Sequence, residues 1–220
     1  MKTYHQTICI DINGNLSKMV ANEKSISIDI AKFNHFSNDR SQRRHLQSLA
    51  SRELLDGSLM NLFPNNHCDP WILSKSNTGK PFLNGQDSPE ISISHSDDWC
   101  ACAIAMTPII GIDLEVIKAR DWNSYCTDVF HPVESRWVLE SSGKERDVRG
   151  LICWCRKEAI VKALGVGISV DLSKIGFSSE GALIAIPKEL GEILGWKFFI
   201  KILCDELVVA VAWRNQPPAW

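Results

Sequence analysis

At 220 residues the chain is long enough to bury a sizeable core and can be one domain or two small ones. Its 24 Lys and Arg against 26 Asp and Glu exclude a broad basic surface of the kind that grips nucleic-acid backbones, so any anion site must be local. No apolar run reaches the length of a membrane span, and the opening "MKTYHQTICIDING" lacks a sustained apolar stretch before small residues, so a cytoplasmic protein with no membrane contact is expected.

The chain opens with "QTICIDI" and "KSISIDI", rich in β-branched residues and read as strands. Helical periodicity follows through "SNDRSQRRHLQSLASRELLDGSLMNLF", with Ser37 and Asn38 as cap candidates. A polar loop ends in "SNTGKPFLNG", and "EISIS" and "WCACAIAM" then read as a hairpin around "HSDD". A new strand begins at Ile109. "HPVESRWVLES" is a helix with Pro132 in its first turn, and "GLICWCRKEAIVKAL" is a longer one stopped by Gly165. The segments "SKIGFSS", "ALIAIP", "WKFFIKILC" and "ELVVAVAW" close the chain as strands, with a tight turn at Glu180-Gly181. The last strand echoes "DDWCACAIA", a hint of two similar halves meeting at the Ile109 strand. The eight cysteines lie in apolar segments without C-x-x-C spacing and read as small core residues in a reducing compartment.

Two clusters carry candidate chemistry. In "IIGIDLEVIKARDW", Asp113 and Glu115 are two apart on a strand and share a face, where like charges repel unless the face is wet or a cation sits between them. In "WCRKEAIVKALG", Glu158 and Lys162 are four apart on a helix, an arrangement that taken alone reads as an exposed ion pair and only in a wider context as part of a site, while Leu151, Cys155, Ala159 and Ala163 can bury another side.

Taken together, G-I-D-L-E at Gly111 to Glu115 and W-C-R-K-E-A-I-V-K at Trp154 to Lys162 resemble the paired motifs of the phosphopantetheinyl transferases. "GKP" at 79 to 81, "SISHS" at 92 to 96 and "VFHPVES" at 129 to 135 match further family segments in order. The chain length is similar to the larger, monomeric, surfactin-type class. The resemblance implies an α+β fold built as a pseudo-two-fold pair of similar halves, each a small antiparallel sheet packed with helices. It divides the chain into residues 1–107, gripping coenzyme A, and 108–220, binding Mg²⁺ and carrying the catalytic helix. It also implies transfer of 4′-phosphopantetheine from coenzyme A to a serine hydroxyl of an apo acyl or peptidyl carrier protein, with release of 3′,5′-ADP.

Carried over residue by residue, Asp113, Glu115 and Glu158 are the expected Mg²⁺ ligands, a hard oxygen set suited to an ion that also binds phosphate. Glu158 is the expected base for the serine, directly or through water, and Lys162 the group that stabilises or protonates the leaving phosphate. Arg43, Lys80, Ser94, His95, Lys157 and Lys162 are the expected coenzyme contacts. Arg43 belongs to a basic patch with Arg40 and Arg44. The sequence departs from the family in having only Lys32 as a basic residue just upstream of this helix, Val116-Ile117-Lys118 after Glu115, and Cys155 where serine or threonine is frequent. Two rival functions remain at this level: a Mg²⁺-dependent nucleotide pyrophosphohydrolase, and a non-catalytic coenzyme or carrier-binding module.

Overall fold

A computed structural model describes residues 7–10 (backbone), 26–33, 39–65, 71–106 and 109–214. Strands β1 (Thr7–Ile10) and β2 (Ile26–Lys32) pair antiparallel, and helix α1 (Arg40–Leu62) follows. Asp39 caps α1, its carboxylate accepting from the Gln42 amide at 2.7 Å. Ser37 and Asn38, the expected caps, lie outside the described residues. Strands β3 (Ile72–Lys75) and β4 (Pro81–Asn84) form a hairpin where the sequence suggested only loop. Then come β5 (Glu90–Ser96), β6 (Trp99–Ala105) and β7 (Ile109–Val116).

The second part of the chain contributes helices α2 (Trp122–Asp128), α3 (Pro132–Leu139) and α4 (Gly143–Leu164), two short strands β8 (Gly176–Phe177) and β9 (Leu183–Ala185), and the hairpin β10 (Trp196–Leu203) and β11 (Leu207–Arg214). Helix α2 escapes a periodicity reading because only Trp122 in it is buried. Gly165 ends α4 with φ 67°, a left-handed C-cap that glycine adopts without strain. Among the described residues no helix is long and apolar enough to cross a membrane. The described cysteines are free thiols; Cys100, Cys102, Cys153 and Cys155 are buried as expected, but Cys204 is exposed in the β10–β11 turn at φ 52°, so it is no core residue.

The fold is mixed α+β, and one motif occurs in it twice. Sheet order β1-β2-β6-β5 in the first half and β10-β11-β7 in the second places a strand (β2, β7) beside the second strand of a later hairpin (β5–β6, β10–β11), with a helix (α1, α4) intervening in sequence each time. The inner faces of the sheets share one core, in which Ile28 and Ile30 of β2 and Ala101 and Ala103 of β6 meet Ile110, Ile112 and Leu114 of β7 and Val209 and Val211 of β11. Outside, α1 covers the first sheet through Leu54 and Leu55, and α4 covers the second through Cys155, Ala159 and Ala163. The result is four layers, helix, sheet, sheet, helix.

On β7 the alternation sends Ile110, Ile112 and Leu114 into the shared core and Gly111, Asp113 and Glu115 toward α4. Small residues let the helix come very close. A Cβ at position 111 would lie 1.9 Å from the Ala159 carbonyl oxygen and 2.5 Å from the Ala163 amide nitrogen. Gly111 thus sets how near α4 lies to Asp113. Gly111→Ala must push the helix backbone away, so we expect a loss of about 1–3 kcal/mol or more and a melting temperature lower by roughly 5 °C. Thermal unfolding followed by circular dichroism checks this, and an unchanged midpoint would remove Gly111 from that role.

Candidate active site

The two sheets meet at their edges, β5 against β7, and the join is made by side chains. Ser92, Ser94 and Ser96 alternate along β5 toward one face. Their hydroxyl oxygens accept from the amides of Ile112 (3.0 Å), Leu114 (3.2 Å) and Val116 (3.2 Å) on β7. The serines so provide the partners that a neighbouring strand would otherwise supply to these amides. Two of the hydroxyls also donate to the acidic side chains of β7, Ser94 to Asp113 Oδ1 at 2.9 Å and Ser96 to Glu115 Oε2 at 2.8 Å.

Each of these carboxylates has its own cation. Lys162 Nζ donates to Asp113 Oδ1 at 2.6 Å and to Ser94 Oγ at 2.9 Å. Arg120 Nη2 lies 2.6 Å from Glu115 Oε2. The two acids therefore tolerate one another in the described structure through the protein's own lysine and arginine. Lys162 does not form an ion pair with Glu158; it reaches across to β7 instead. Burial acts to lower the Lys162 pKa, but the charge and hydrogen bond of Asp113 outweigh it and hold the ammonium above its ordinary value. Glu158 is partly buried on the adjacent turn of α4. Burial first, and then the charge of Asp113, raise its carboxyl above the usual range.

Other expected site residues stand differently. Lys157 does not face the acidic cluster. It is fully buried on another side of α4, where its ammonium pairs with Glu134 at 2.7 Å and donates to the carbonyls of Leu172 (2.8 Å) and Ile175. Glu134 also accepts from the His131 amide at 2.8 Å and completes the capping box of α3. Burial raises the Glu134 pKa and lowers that of Lys157, and each partner's charge opposes the shift. The acid of "FHPVE" and the lysine of "WCRKE" are thus a buried strut rather than coenzyme contacts. Ser94, expected at a phosphate, has its hydroxyl taken up by Asp113, Lys162 and the Leu114 amide.

Lys80, held in the turn whose Gly79 has φ 87°, extends its ammonium to Glu90 Oε2 (3.0 Å) and to the carbonyl of Ala163 (2.9 Å) in the last turn of α4. It ties the first half to α4. His95 lies exposed near the end of β5, not in a turn, and its pKa is lowered by partial burial and by Lys162.

Two cavities flank this centre and share Gly79, Pro81 and Ile93 as a wall. One, of about 300 Å³, is bounded by Lys80, Trp154, Glu158, Val161, Lys162 and Leu172, apolar except where the charged groups enter. The other, of about 400 Å³, is bounded by Ser51, Arg52, Ser74, Lys75 and His95. Arg43 is half-buried and lines neither; Arg52 and Lys75 are the basic residues at the second cavity, and a scan for arginine clusters passes over both because each is isolated in sequence.

Among the described residues no three His, Cys, Asp or Glu side chains form a ready-made metal cage. The donor set nonetheless suits a hard cation that draws some of its ligands from a phosphate. Asp113, 4 % exposed, keeps Oδ2 buried without a hydrogen-bond partner, and the Glu158 carboxyl is held close enough to feel its charge.

Fold and site together define a class: a mixed α+β protein of two similar halves with carboxylates, a lysine and two cavities at the join. Residues 109–212 match the model of the 4′-phosphopantetheinyl transferase superfamily. Relatives include the 4′-phosphopantetheinyl transferase gsp of Aneurinibacillus migulanus, 31 % identical over 119 residues that cover 54 % of this chain and 48 % of the relative. The 4′-phosphopantetheinyl transferase psf-1 of Bacillus pumilus is 32 % identical over 102 residues, 46 % of this chain and 43 % of the relative. HetI of a Nostoc species, also a 4′-phosphopantetheinyl transferase, is 31 % identical over 150 residues, 64 % of this chain and 61 % of the relative. The chain spans about half the length of the curated relatives it matches.

The Glu134–Lys157 strut makes a separable prediction. Lys157→Met leaves a buried carboxylate without its counter-charge and should cost about 3–5 kcal/mol, whereas the double change with Glu134→Leu removes both charges and should cost much less than the sum. Denaturant unfolding of the four proteins measures the coupling; additive losses would contradict the pairing.

Proposed function

We propose that this protein transfers 4′-phosphopantetheine from coenzyme A to a serine hydroxyl of an apo acyl or peptidyl carrier protein, releasing 3′,5′-ADP. The observation that carries the reading is the convergence of Asp113, Glu158 and Lys162 beside an apolar cavity at the join, in a segment that matches the transferase family. The halves divided near residues 107 and 108 take separate parts, the first holding coenzyme and the second the acidic centre. Asp113, Glu115 and Glu158 would hold a Mg²⁺ ion, which when bound offsets the charge of the diphosphate.

In this reading the carrier serine oxygen attacks the phosphorus on the pantetheine side of the diphosphate. The bond from that phosphorus to the bridging oxygen breaks, and the bridging oxygen leaves with 3′,5′-ADP. Glu158, whose raised pKa suits a proton acceptor, takes the serine proton. Lys162, held above its ordinary pKa, meets the charge that develops on the leaving phosphate. The apolar walls of Trp154, Val161 and Leu172 suit the pantetheine arm, and Arg52, Lys75 and His95 at the second cavity suit the nucleotide phosphates, taking over what the sequence assigned to Arg43.

Incubation with coenzyme A, Mg²⁺ and a panel of apo carriers, read by mass spectrometry of the carrier, tests the reading. Carrier-bound phosphopantetheine is expected; cleavage of coenzyme A with no modified carrier would favour a pyrophosphohydrolase, and no turnover at all a binding module. Glu158→Gln should lower the single-turnover rate by about 10²–10⁴. In excess chelator it should not lower the melting temperature, since it removes a carboxylate that burial disfavours. A rate within a few fold of the parent would move the base elsewhere.

A further inference from the structure

A divalent ion on Asp113 has to contend with a charge already there. Lys162 Nζ stands 2.6 Å from Asp113 Oδ1 and shares the Ser94 hydroxyl with it. Arg120 likewise holds Glu115. Three carboxylates, Asp113, Glu115 and Glu158, face two cations, so the cluster carries a net charge near −1 rather than the −3 of a bare triad. A cluster so neutralised attracts a free divalent ion weakly, because two of the three ligands the ion would take, Asp113 and Glu115, bring a repelling cation with them.

We propose that the Lys162–Asp113 pair and the divalent cation compete for Asp113, and that the diphosphate of coenzyme A resolves the competition by taking over Lys162. This rests on the reading of the site as a Mg²⁺ and coenzyme A centre, and goes beyond it in making Lys162 a gate on cation binding. The exchange leaves no charge unpaired. Asp113 trades an ammonium for the cation, while Lys162 trades a carboxylate for a phosphate oxygen on the group that later departs. An ion binding without the diphosphate would strand Lys162 beside it, partly buried and without its carboxylate, which is costly. Cation and coenzyme therefore bind as a coupled pair, each raising the affinity of the other by the same factor. The geometry favours Lys162 over Arg120 as the mobile partner. Arg120 sits on the Trp122 ring at 5.9 Å and is fixed near Glu115 by the short chain between them, whereas Lys162 belongs to the apolar cavity's wall and has open volume before it.

Mn²⁺ used as a paramagnetic stand-in reads this without turnover. The free Mn²⁺ resonance signal is titrated against the parent, Lys162→Met and Arg120→Met, each with and without coenzyme A, with the coenzyme's own binding of Mn²⁺ subtracted. Without coenzyme, Lys162→Met should bind Mn²⁺ at least about tenfold tighter than the parent, since a nearby positive charge has gone. Coenzyme A should tighten Mn²⁺ strongly in the parent and in Arg120→Met, and much less in Lys162→Met. Equal Mn²⁺ affinity in the parent and Lys162→Met, with both tightened alike by coenzyme, would overturn the competition and leave the metal reading standing. No binding by any protein, even with coenzyme, would remove the metal reading and the proposal with it. Should Lys162→Met fail to fold, the parent alone decides: tight Mn²⁺ binding that coenzyme does not change contradicts the coupling.

Discussion

Three hydroxyls on β5 hold the acidic cluster of β7 in register. The amides of Ile112, Leu114 and Val116 emerge at the edge of the second sheet, where among the described residues no strand pairs with them, and Ser92, Ser94 and Ser96 of the first sheet each accept one. A slip of one residue would turn the serines away and present Ile91, Ile93 and His95 to these amides. The same hydroxyls aim Asp113 and Glu115, so the docking of the halves and the placement of the carboxylates are one event.

Around this seam the remaining parts fall into place. Gly111 admits the backbone of α4 to contact with β7, and the turn spacing of the helix then sets what faces where. Ala159 and Ala163 lie against the sheet, Lys157 points into the packing beneath α3, and Glu158 and Lys162 are left on the side of Asp113. The buried Lys157–Glu134 pair fixes the rotation of α4 from one flank, and Lys80, donating to the Ala163 carbonyl, holds its C-terminal end from the other. The helix is thus located by three contacts of different kinds, steric, ionic and capping. The catalytic pair proposed on it inherits that precision.

Much of this was legible in the residues themselves. The strands of the hairpins, the long helix ended by Gly165 and the doubling of the topology follow from periodicity and from the likeness of "WCACAIA" to "LVVAVAW". The β3–β4 hairpin was not, because its strands are short and mostly exposed and carry no apolar alternation. Lys157 was misplaced for a physical reason: a lysine in a motif rich in charge reads as a surface group, and only the carboxylate of Glu134, distant in sequence, shows that it is buried. Ser92 and Ser96 were passed over because a serine in a strand has no distinctive pattern until its partner strand is known. Arg120 gave no signal either, since an arginine five residues after Glu115 is unremarkable in a linear reading.

The central claim is that Ser94 joins the two halves to one charged cluster as a positioning residue. Ser94→Ala measures it most directly. The change orphans the buried Leu114 amide and removes the hydroxyl shared by Asp113 and Lys162, at a cost of about 1–3 kcal/mol that a folded chain can bear. In single-turnover transfer at saturating coenzyme A, Mg²⁺ and carrier, the account predicts a rate lower by about tenfold or more, coenzyme affinity changed far less, and substantial recovery in Ser94→Thr, which restores the hydroxyl. A folded Ser94→Ala protein turning over at the parent's rate would contradict it.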